Sequence, residues 1–250
     1  MITDPLFFAL AIPAVIALGL SKGGFAGVGQ IATPLLALLL PPLQAAALLL
    51  PIMMVQDAMS VWVYRRQWSA WNLKVMLPGA IAGICLAWAL ASYVSDAFVR
   101  LGVGLISLAY VLNTWFGKPP SEARASTAAS GVLWGGLSGF TSTMAQAGGP
   151  PFQIHVLPQK LDKLTYVGTN VMFFTVVNML KVIPYFALGH FTPQNFTTSL
   201  ALFPLAAASN LLGVWLVRRT PTVIFYKIAH ALIFLISLEL VRAGTMDLLR

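Results

Sequence analysis

Two stretches of the sequence, residues 21–30 and residues 138–151, combine glycine with polar side chains and interrupt long apolar runs. Glycine permits positive φ and a close approach of the backbone. N–H groups exposed at the start of a short helix attract anions, because the helix dipole is positive at that end. Pro150 and Pro151 suit the first turn of such a helix. We therefore predict that an anion binds between these two stretches.

Polar and charged side chains near these stretches would complete the site. Amides and hydroxyls donate hydrogen bonds to an oxyanion without adding charge, and a lysine would attract it. The predicted substrate-binding residues are Lys22, Gly24, Gly27, Gly29, Gln30, Thr33, Thr143, Gln146, Gly148, Gly149, Gln153, Asn178 and Lys181. In the alternative interpretation the polar groups bridge helices, the glycines serve only close helix packing, and Lys181 extends toward the membrane surface.

Asp57 lies in the middle of an apolar run. An ionisable residue in that position indicates a functional role by default, and we predict that Asp57 carries a coupling proton. The alternative is a buried structural hydrogen bond. Cys85 is the single cysteine, so an internal disulfide and a cysteine-based metal site are excluded. We expect neither a metal nor a cofactor.

The elements that must position these residues are membrane helices. The chain has 250 residues, of which 58% are hydrophobic and 9% charged, whereas soluble domains carry about 25% charged residues. The net charge of +8 resides in short gaps between apolar runs, which indicates membrane topology rather than nucleic-acid binding. A span needs about 20 mainly apolar residues. Six spans are predicted, at residues 43–63, 72–93, 97–116, 164–188, 196–217 and 223–243.

The two glycine-rich stretches lie in segments of another kind, residues 5–40 and 127–158. Each has apolar arms of about 7 to 16 residues, most of which would cross roughly half a bilayer. One such segment followed by three spans occurs twice, which predicts two transmembrane repeats within one membrane domain, residues 1–122 and 123–250. Interrupted segments in matching positions of two halves point to a transporter binding site. Two ordinary kinked helices are the simpler alternative.

The distribution of basic residues favours re-entrant hairpins. If each interrupted segment crossed the membrane, the connections would carry seven basic residues on one side and six on the other. If both segments return to the side that they enter, ten basic residues face one side and three face the other. The ten are Arg65, Arg66, Lys74, Lys118, Arg124, Lys160, Lys163, Arg218, Arg219 and Lys227, and the three are Arg100, Arg242 and Arg250.

The positive-inside rule places the richer side in the cytoplasm. Both termini are then periplasmic, and three spans per half make the two halves inverted repeats. The predicted fold is an all-α polytopic membrane protein, in which each repeat has one broken or re-entrant helical hairpin and three transmembrane helices.

Several motifs resemble the sulfite exporter TauE/SafE family, also called the toluene-sulfonate uptake permease family. They are residues 21–29 (SKGGFAGVG) with 34–36 (PLL), 147–154 (AGGPPFQI) with 157–160 (LPQK), 168–170 (GTN), 178–181 (NMLK) and 184–185 (PY). The resemblance covers nearly the whole chain. It implies a carrier, in a bacterial inner membrane, of small sulfur-containing anions such as sulfite or organosulfonates. It fixes neither the substrate nor the direction of transport.

The predicted function is therefore that of a secondary transporter, not an enzyme. A small anionic substrate and the lipid bilayer are the expected partners; a homodimer is allowed for, and nucleic acid is not expected. An anion channel built from the same two stretches is one alternative. An intramembrane serine protease is another, because Ser138 lies in a Gly-x-Ser-Gly pattern and His230 lies in a later span. A serine nucleophile needs a base within hydrogen-bond reach.

Overall fold

The computed structural model of the chain describes residues 4–25, 28–37, 39–40, 42–90, 93–116, 123, 125–187 and 193–249. Within these ranges the chain forms ten α-helices and two short 3₁₀ helices, without a β-strand. The α-helices are α1 (Pro5–Gly23), α2 (Ala32–Ala37), α3 (Pro42–Tyr64), α4 (Ala70–Leu90), α5 (Asp96–Phe116), α6 (Ala128–Ala145), α7 (Gly149–Val156), α8 (Lys163–Ala187), α9 (Pro193–Arg219) and α10 (Thr222–Leu248). The 3₁₀ helices are Val28–Ile31 and Leu157–Gln159.

Seven of the described helices are long and apolar enough to cross a bilayer: α1, α3, α4, α5, α8, α9 and α10. Large apolar side chains cover the outer surface, and Trp62, Phe116 and Phe186 are each at least 70% exposed. Lipid chains accommodate such a surface, whereas water does not. The chain is an all-α polytopic membrane protein. All six predicted spans are confirmed as helices, and their ends agree with the predictions to within five residues.

The first interrupted segment turns back on itself. α1 and α3 run in the same direction, because Gln56 of α3 donates to the Val15 carbonyl of α1 at 3.5 Å and Tyr64 donates to the Gly23 carbonyl at 2.7 Å. The chain between these helices must therefore return to the side where α1 begins. Val28–Ile31 and α2 lie in this return, and both pack against α1.

The second interrupted segment has the same course. Gly148, just before α7, accepts a hydrogen bond at its carbonyl from Ser138 of α6 at 2.7 Å. His155, near the end of α7, lies within 3.1 Å of the hydroxyls of Ser126 and Ser130, at the start of α6. α7 therefore runs back along α6, as expected for a hairpin.

Both hairpins have a longer first arm than the sequence predicts. α1 has 19 residues and α6 has 18, so each is about 27 to 29 Å long and not half a bilayer. The prediction that residues 138–145 belong to an irregular polar centre is wrong, because these residues are helical. The hydroxyls of Thr141 and Thr143 donate to carbonyls one turn back in α6, at 2.7 and 2.8 Å. Their polar groups are thereby satisfied inside the helix.

Close glycine contacts hold the first arm of each hairpin against a spanning helix of the other half. α6 packs along α4, where a Cβ on Gly79 would lie 2.1 Å from the Val132 carbonyl oxygen and one on Gly139 would lie 2.3 Å from that of Ala80. α1 packs along α9 in the same way, and a Cβ on Gly23 would lie 2.6 Å from the Cα of Gly213. Small residues allow such backbone contact between membrane helices.

α3 and α8 cross at the centre of the molecule and run in opposite directions. Asn178 of α8 donates to Asp57 of α3 at 2.7 Å. Gly168, near the start of α8, lies against the carbonyl of Gln67, which follows the end of α3. α5 and α10 also pack on each other, and Arg100 of α5 forms a 3.0 Å salt bridge with Asp247 of α10.

We expect Gly79→Ala to destabilise the protein, because the added methyl group would overlap backbone atoms of α6 that cannot rotate away. Overpacking of this kind costs about 1–3 kcal/mol. Gly102→Ala is the matched control, since a Cβ there has nothing within 4 Å. Thermal unfolding in detergent should show a lower midpoint for Gly79→Ala and an unchanged one for the control. Equal midpoints for both variants would contradict the close contact of α4 with α6.

Candidate functional site

A cavity of about 100 Å³ lies between the two hairpins, at the crossing of α3 and α8. Its walls come from α1, the return of the first hairpin, α3, the end of α6, the start of α7, and α8. The residues that line it are Leu18, Ser21, Lys22, Gly29, Thr33, Met53, Ser142, Gln146, Gly148, Gly149, Asn170, Val171, Phe174 and Asn178. The volume is several times that needed by one water molecule, and both halves of the chain contribute to it.

A buried ion pair lies beside the cavity, and its Lys22 lines the wall. The ammonium of Lys22 lies 2.7 Å from one carboxylate oxygen of Asp57, and Asn178 donates to the other oxygen at 2.7 Å. Lys22 is in the last turn of α1, where the negative end of the helix dipole favours a cation. The Lys22 side chain is 13% exposed and that of Asp57 is 3% exposed. Burial without a partner would be costly for either charge.

Lys181 approaches the cavity from the other side. Its side chain is fully buried, and its ammonium donates to the hydroxyl of Ser142 at 3.1 Å and the Gln146 side-chain oxygen at 2.9 Å. The Ser142 carbonyl lies 3.4 Å away. The Gln146 amide also donates to the Tyr185 hydroxyl at 3.2 Å. Lys181 therefore contacts two residues that line the cavity, and does not extend to the membrane surface.

The break between α6 and α7 has a fixed geometry. Gln146 has φ of 54° and ends α6 in the left-handed conformation. Its side-chain oxygen accepts a hydrogen bond from Lys181. Ser138 and Thr141 donate to the carbonyls of Gly148 and Ala147, at 2.7 and 3.1 Å. A Cβ on Gly148 would lie 2.7 Å from the Ser138 carbonyl oxygen. The sequence needs glycine at this position because α7 begins so close to α6.

The start of α7 presents fewer donors than its helix dipole suggests. Pro150 and Pro151 occupy its first turn and have no N–H group. The Phe152 N–H already donates to the Gly148 carbonyl at 3.4 Å. The dipole still favours an anion in front of Gly149. Most hydrogen bonds to an anion in the cavity would nevertheless come from side chains.

The structure brings most of the predicted site residues together. Seven of them line the cavity: Lys22, Gly29, Thr33, Gln146, Gly148, Gly149 and Asn178. Lys181 and Asp57 do not line it, but each bonds to residues that do.

Three of the other predicted residues lie away from the cavity walls, and two fall outside what the structure describes. Gly24 has φ of 139° and ends α1, where it packs against Val167 and Val217. Thr143 donates to the carbonyl of Gly139 within α6, and Gln153 is buried in α7. Gly27 and the side chain of Gln30 lie outside the described residues.

The prediction missed several residues that line the cavity. Asn170 and Phe174 precede Asn178 by eight and four residues on α8. This helical spacing places them on the same face as Asn178 and could have identified them. Ser142 was not missed, because it belongs to the polar stretch of residues 138–151 that the sequence singles out, and it lines the cavity. Leu18 and Met53 carry no polar signal in the sequence.

The protease alternative has no support in this geometry. The Ser138 hydroxyl donates to the Gly148 carbonyl at 2.7 Å. His230, on α10, stacks on Tyr110 with ring centres 6.5 Å apart and contacts the Tyr226 carbonyl. The serine and the histidine are thus engaged with different partners on different helices.

A comparison with family models matches residues 11–240 to a family described as sulfite exporter TauE/SafE. A search of curated proteins gives no match, and neither does a search of solved structures. The matched range includes every cavity-lining residue.

We expect Lys22→Met to destabilise the protein by about 3 kcal/mol, because it leaves the carboxylate of Asp57 buried without its cation. The double variant Lys22→Met/Asp57→Asn removes both charges and should recover most of this loss. Unfolding in detergent at neutral pH would measure the three proteins. A double variant as unstable as Lys22→Met would show that the pair does not depend on charge compensation.

Proposed function

Since the chain belongs to the sulfite exporter TauE/SafE family, we propose that it is a secondary carrier that moves a small sulfur-containing oxyanion across the bacterial inner membrane. Members of this family are transporters, and the chain is a multi-pass membrane protein. The cavity between the hairpins is the substrate site in this proposal. Lys22, Thr33, Gln146, Gly148, Gly149 and Asn178 bind the anion from its walls, and Lys181 acts through Ser142 and Gln146.

The observation that carries this proposal is the position of the cavity. It lies where α3 and α8 cross, and both helices meet the length and hydropathy expected of a membrane span. Lys181 and Asp57 are buried there, and Lys22 is 13% exposed. Buried charges at such depth in membrane proteins mark ion and substrate pathways. Donors from lysine, amides and hydroxyls suit an oxyanion.

The packing of the helices supports an inverted repeat of residues 1–122 and 123–250. In such a repeat α1 is equivalent to α6, and α4 is equivalent to α9. The contact of α1 with α9 is then equivalent to the contact of α6 with α4, and both contacts are present. α3 is likewise equivalent to α8, and α5 to α10. α3 packs antiparallel to α8, and α5 packs antiparallel to α10. Equivalent contacts also support the alignment of the two halves. Ser60 of α3 donates to the Lys22 carbonyl of α1, and Lys181 of α8 lies against the Ser142 carbonyl of α6.

Asp57 is the coupling residue in this proposal. It bonds to Lys22 of the first hairpin and to Asn178 of the second half, so a change in its protonation would loosen contacts on both sides of the cavity. An anion that enters the cavity also competes with Asp57 for Lys22. Such competition links anion binding to the state of the carboxylate.

Purified protein in proteoliposomes should take up a small sulfur oxyanion with saturable kinetics under an imposed pH or ion gradient. Sulfite, sulfate, thiosulfate, taurine and sulfoacetate form the test panel. Gly149→Leu should lose at least nine-tenths of the flux because it adds a large side chain to a residue that borders the cavity. Gly102→Leu is the control, since its position is open and faces away from the helices.

Three results would contradict the proposal. Failure of every anion in the panel to move or compete would exclude the substrate class. Flux that does not saturate would indicate a channel. Normal transport by Gly149→Leu would place the substrate path elsewhere.

The proposed topology places both termini in the periplasm and the ten basic residues named above in the cytoplasm. Alkaline phosphatase fused to the C-terminus, after residue 250, should be active in whole cells, because this enzyme requires an oxidising compartment. The same reporter inserted between Arg65 and Arg66 should be inactive. Reversed activities would overturn the orientation, and equal activities at the two positions would overturn the pair of re-entrant hairpins.

A further inference from the structure

The charges around the cavity do not balance. Lys22 and Asp57 form one ion pair. Lys181 is fully buried, and its three hydrogen-bonding contacts are the hydroxyl and carbonyl of Ser142 and the side-chain amide of Gln146. All three acceptors are neutral. Within the described part of the chain, no carboxylate lies within 4 Å of the Lys181 ammonium.

Among the described residues, Lys22 is the one charged group that forms an ion pair with Asp57. α1 supplies Lys22, and α8 supplies Asn178 and Lys181. α9 supplies Asn210, which donates to Ser60 at 2.8 Å. Two cations and one carboxylate therefore give the cavity and its surroundings a net charge of one positive unit.

An uncompensated charge in the membrane interior is costly, and an ion of opposite charge removes much of that cost. An ammonium group donates three hydrogen bonds, and three oxygen acceptors surround that of Lys181. Ser142 and Gln146, which hold that ammonium, both line the cavity. An anion in the cavity would therefore be separated from the Lys181 ammonium by a single side chain, that of Ser142 or Gln146.

We propose that the cavity selects singly charged oxyanions, such as hydrogensulfite or a sulfonate, over doubly charged ones. This inference rests on the proposed carrier function and specifies the charge of its substrate. One negative charge makes the occupied site neutral, whereas a dianion would leave it with one net negative charge. Asp57 acts as the specificity determinant because its carboxylate sets the net charge of the empty site.

Methanesulfonate and sulfate provide the test, because they have nearly the same size and shape but differ by one charge at neutral pH. Each would compete against a labelled substrate in proteoliposomes. We expect methanesulfonate to inhibit the unaltered protein at a concentration at least tenfold lower than sulfate does. Lys181→Met should weaken inhibition by methanesulfonate at least tenfold.

Two nearly isosteric substitutions change the charge count in opposite directions. Asp57→Asn raises the net charge of the site to two positive units and should move the preference at least tenfold toward sulfate. Asn178→Asp lowers the net charge to zero and should weaken inhibition by methanesulfonate at least tenfold. The double variant Lys22→Met/Asp57→Asn restores a net charge of one positive unit and should again prefer methanesulfonate.

The inference fails if the unaltered protein binds both anions equally, if Asp57→Asn leaves their ratio unchanged, or if Lys181→Met binds methanesulfonate normally. Each of these results leaves the carrier function intact, because an anion still binds. If the unaltered protein transports a panel anion that neither methanesulfonate nor sulfate inhibits, the inference also fails alone. If no anion of either charge is moved or bound, the proposed function itself fails.

Discussion

The contact of Asp57 with Lys22 and Asn178 connects the main parts of the molecule. It joins the first hairpin to α3 and joins α3 to α8, so one carboxylate fixes where the two halves cross. A charge inside a membrane protein needs a partner of opposite sign or several hydrogen bonds, so each member of this contact depends on the others. The cavity lies beside this contact, where the two hairpins turn and leave a space next to the crossing of α3 and α8.

Glycine makes that arrangement compatible with a membrane. A hairpin inside a bilayer exposes backbone groups unless protein surrounds them. α6 meets this requirement by lying in backbone contact with α4, and α1 does so with α9. The same contacts leave the long apolar side chains of these helices directed toward lipid or toward the core. The glycines of the hairpins thus divide into two groups: Gly23 serves helix packing, whereas Gly29, Gly148 and Gly149 border the cavity.

The spanning helices could be predicted from the sequence because each is a long apolar run. The return of the hairpins could be predicted because most basic residues then fall on one side of the membrane. The length of α6 could not be predicted, because Ser138, Thr141 and Thr143 suggest a loop when only composition is considered. Their hydroxyls instead bond to nearby carbonyls in α6 and in the break that follows it. The pairing of Lys22 with Asp57 depends on how α1 packs against α3, which no local pattern encodes. The position of Asn170 at the cavity, by contrast, could have been predicted, because it lies eight residues before Asn178 on the same face of α8.

The two prolines at the start of α7 have a consequence for how an anion can leave. A site built from backbone N–H groups would be as rigid as the helix that carries them, and release would require that helix to shift or fray. Pro150 and Pro151 remove two such donors, so in the proposed carrier most hydrogen bonds to an anion come from lysine, asparagine, glutamine and threonine side chains. A side chain that rotates away from an anion leaves the helix that carries it in place. The proposed site can therefore release its anion by side-chain rotation while every helix around it stays intact.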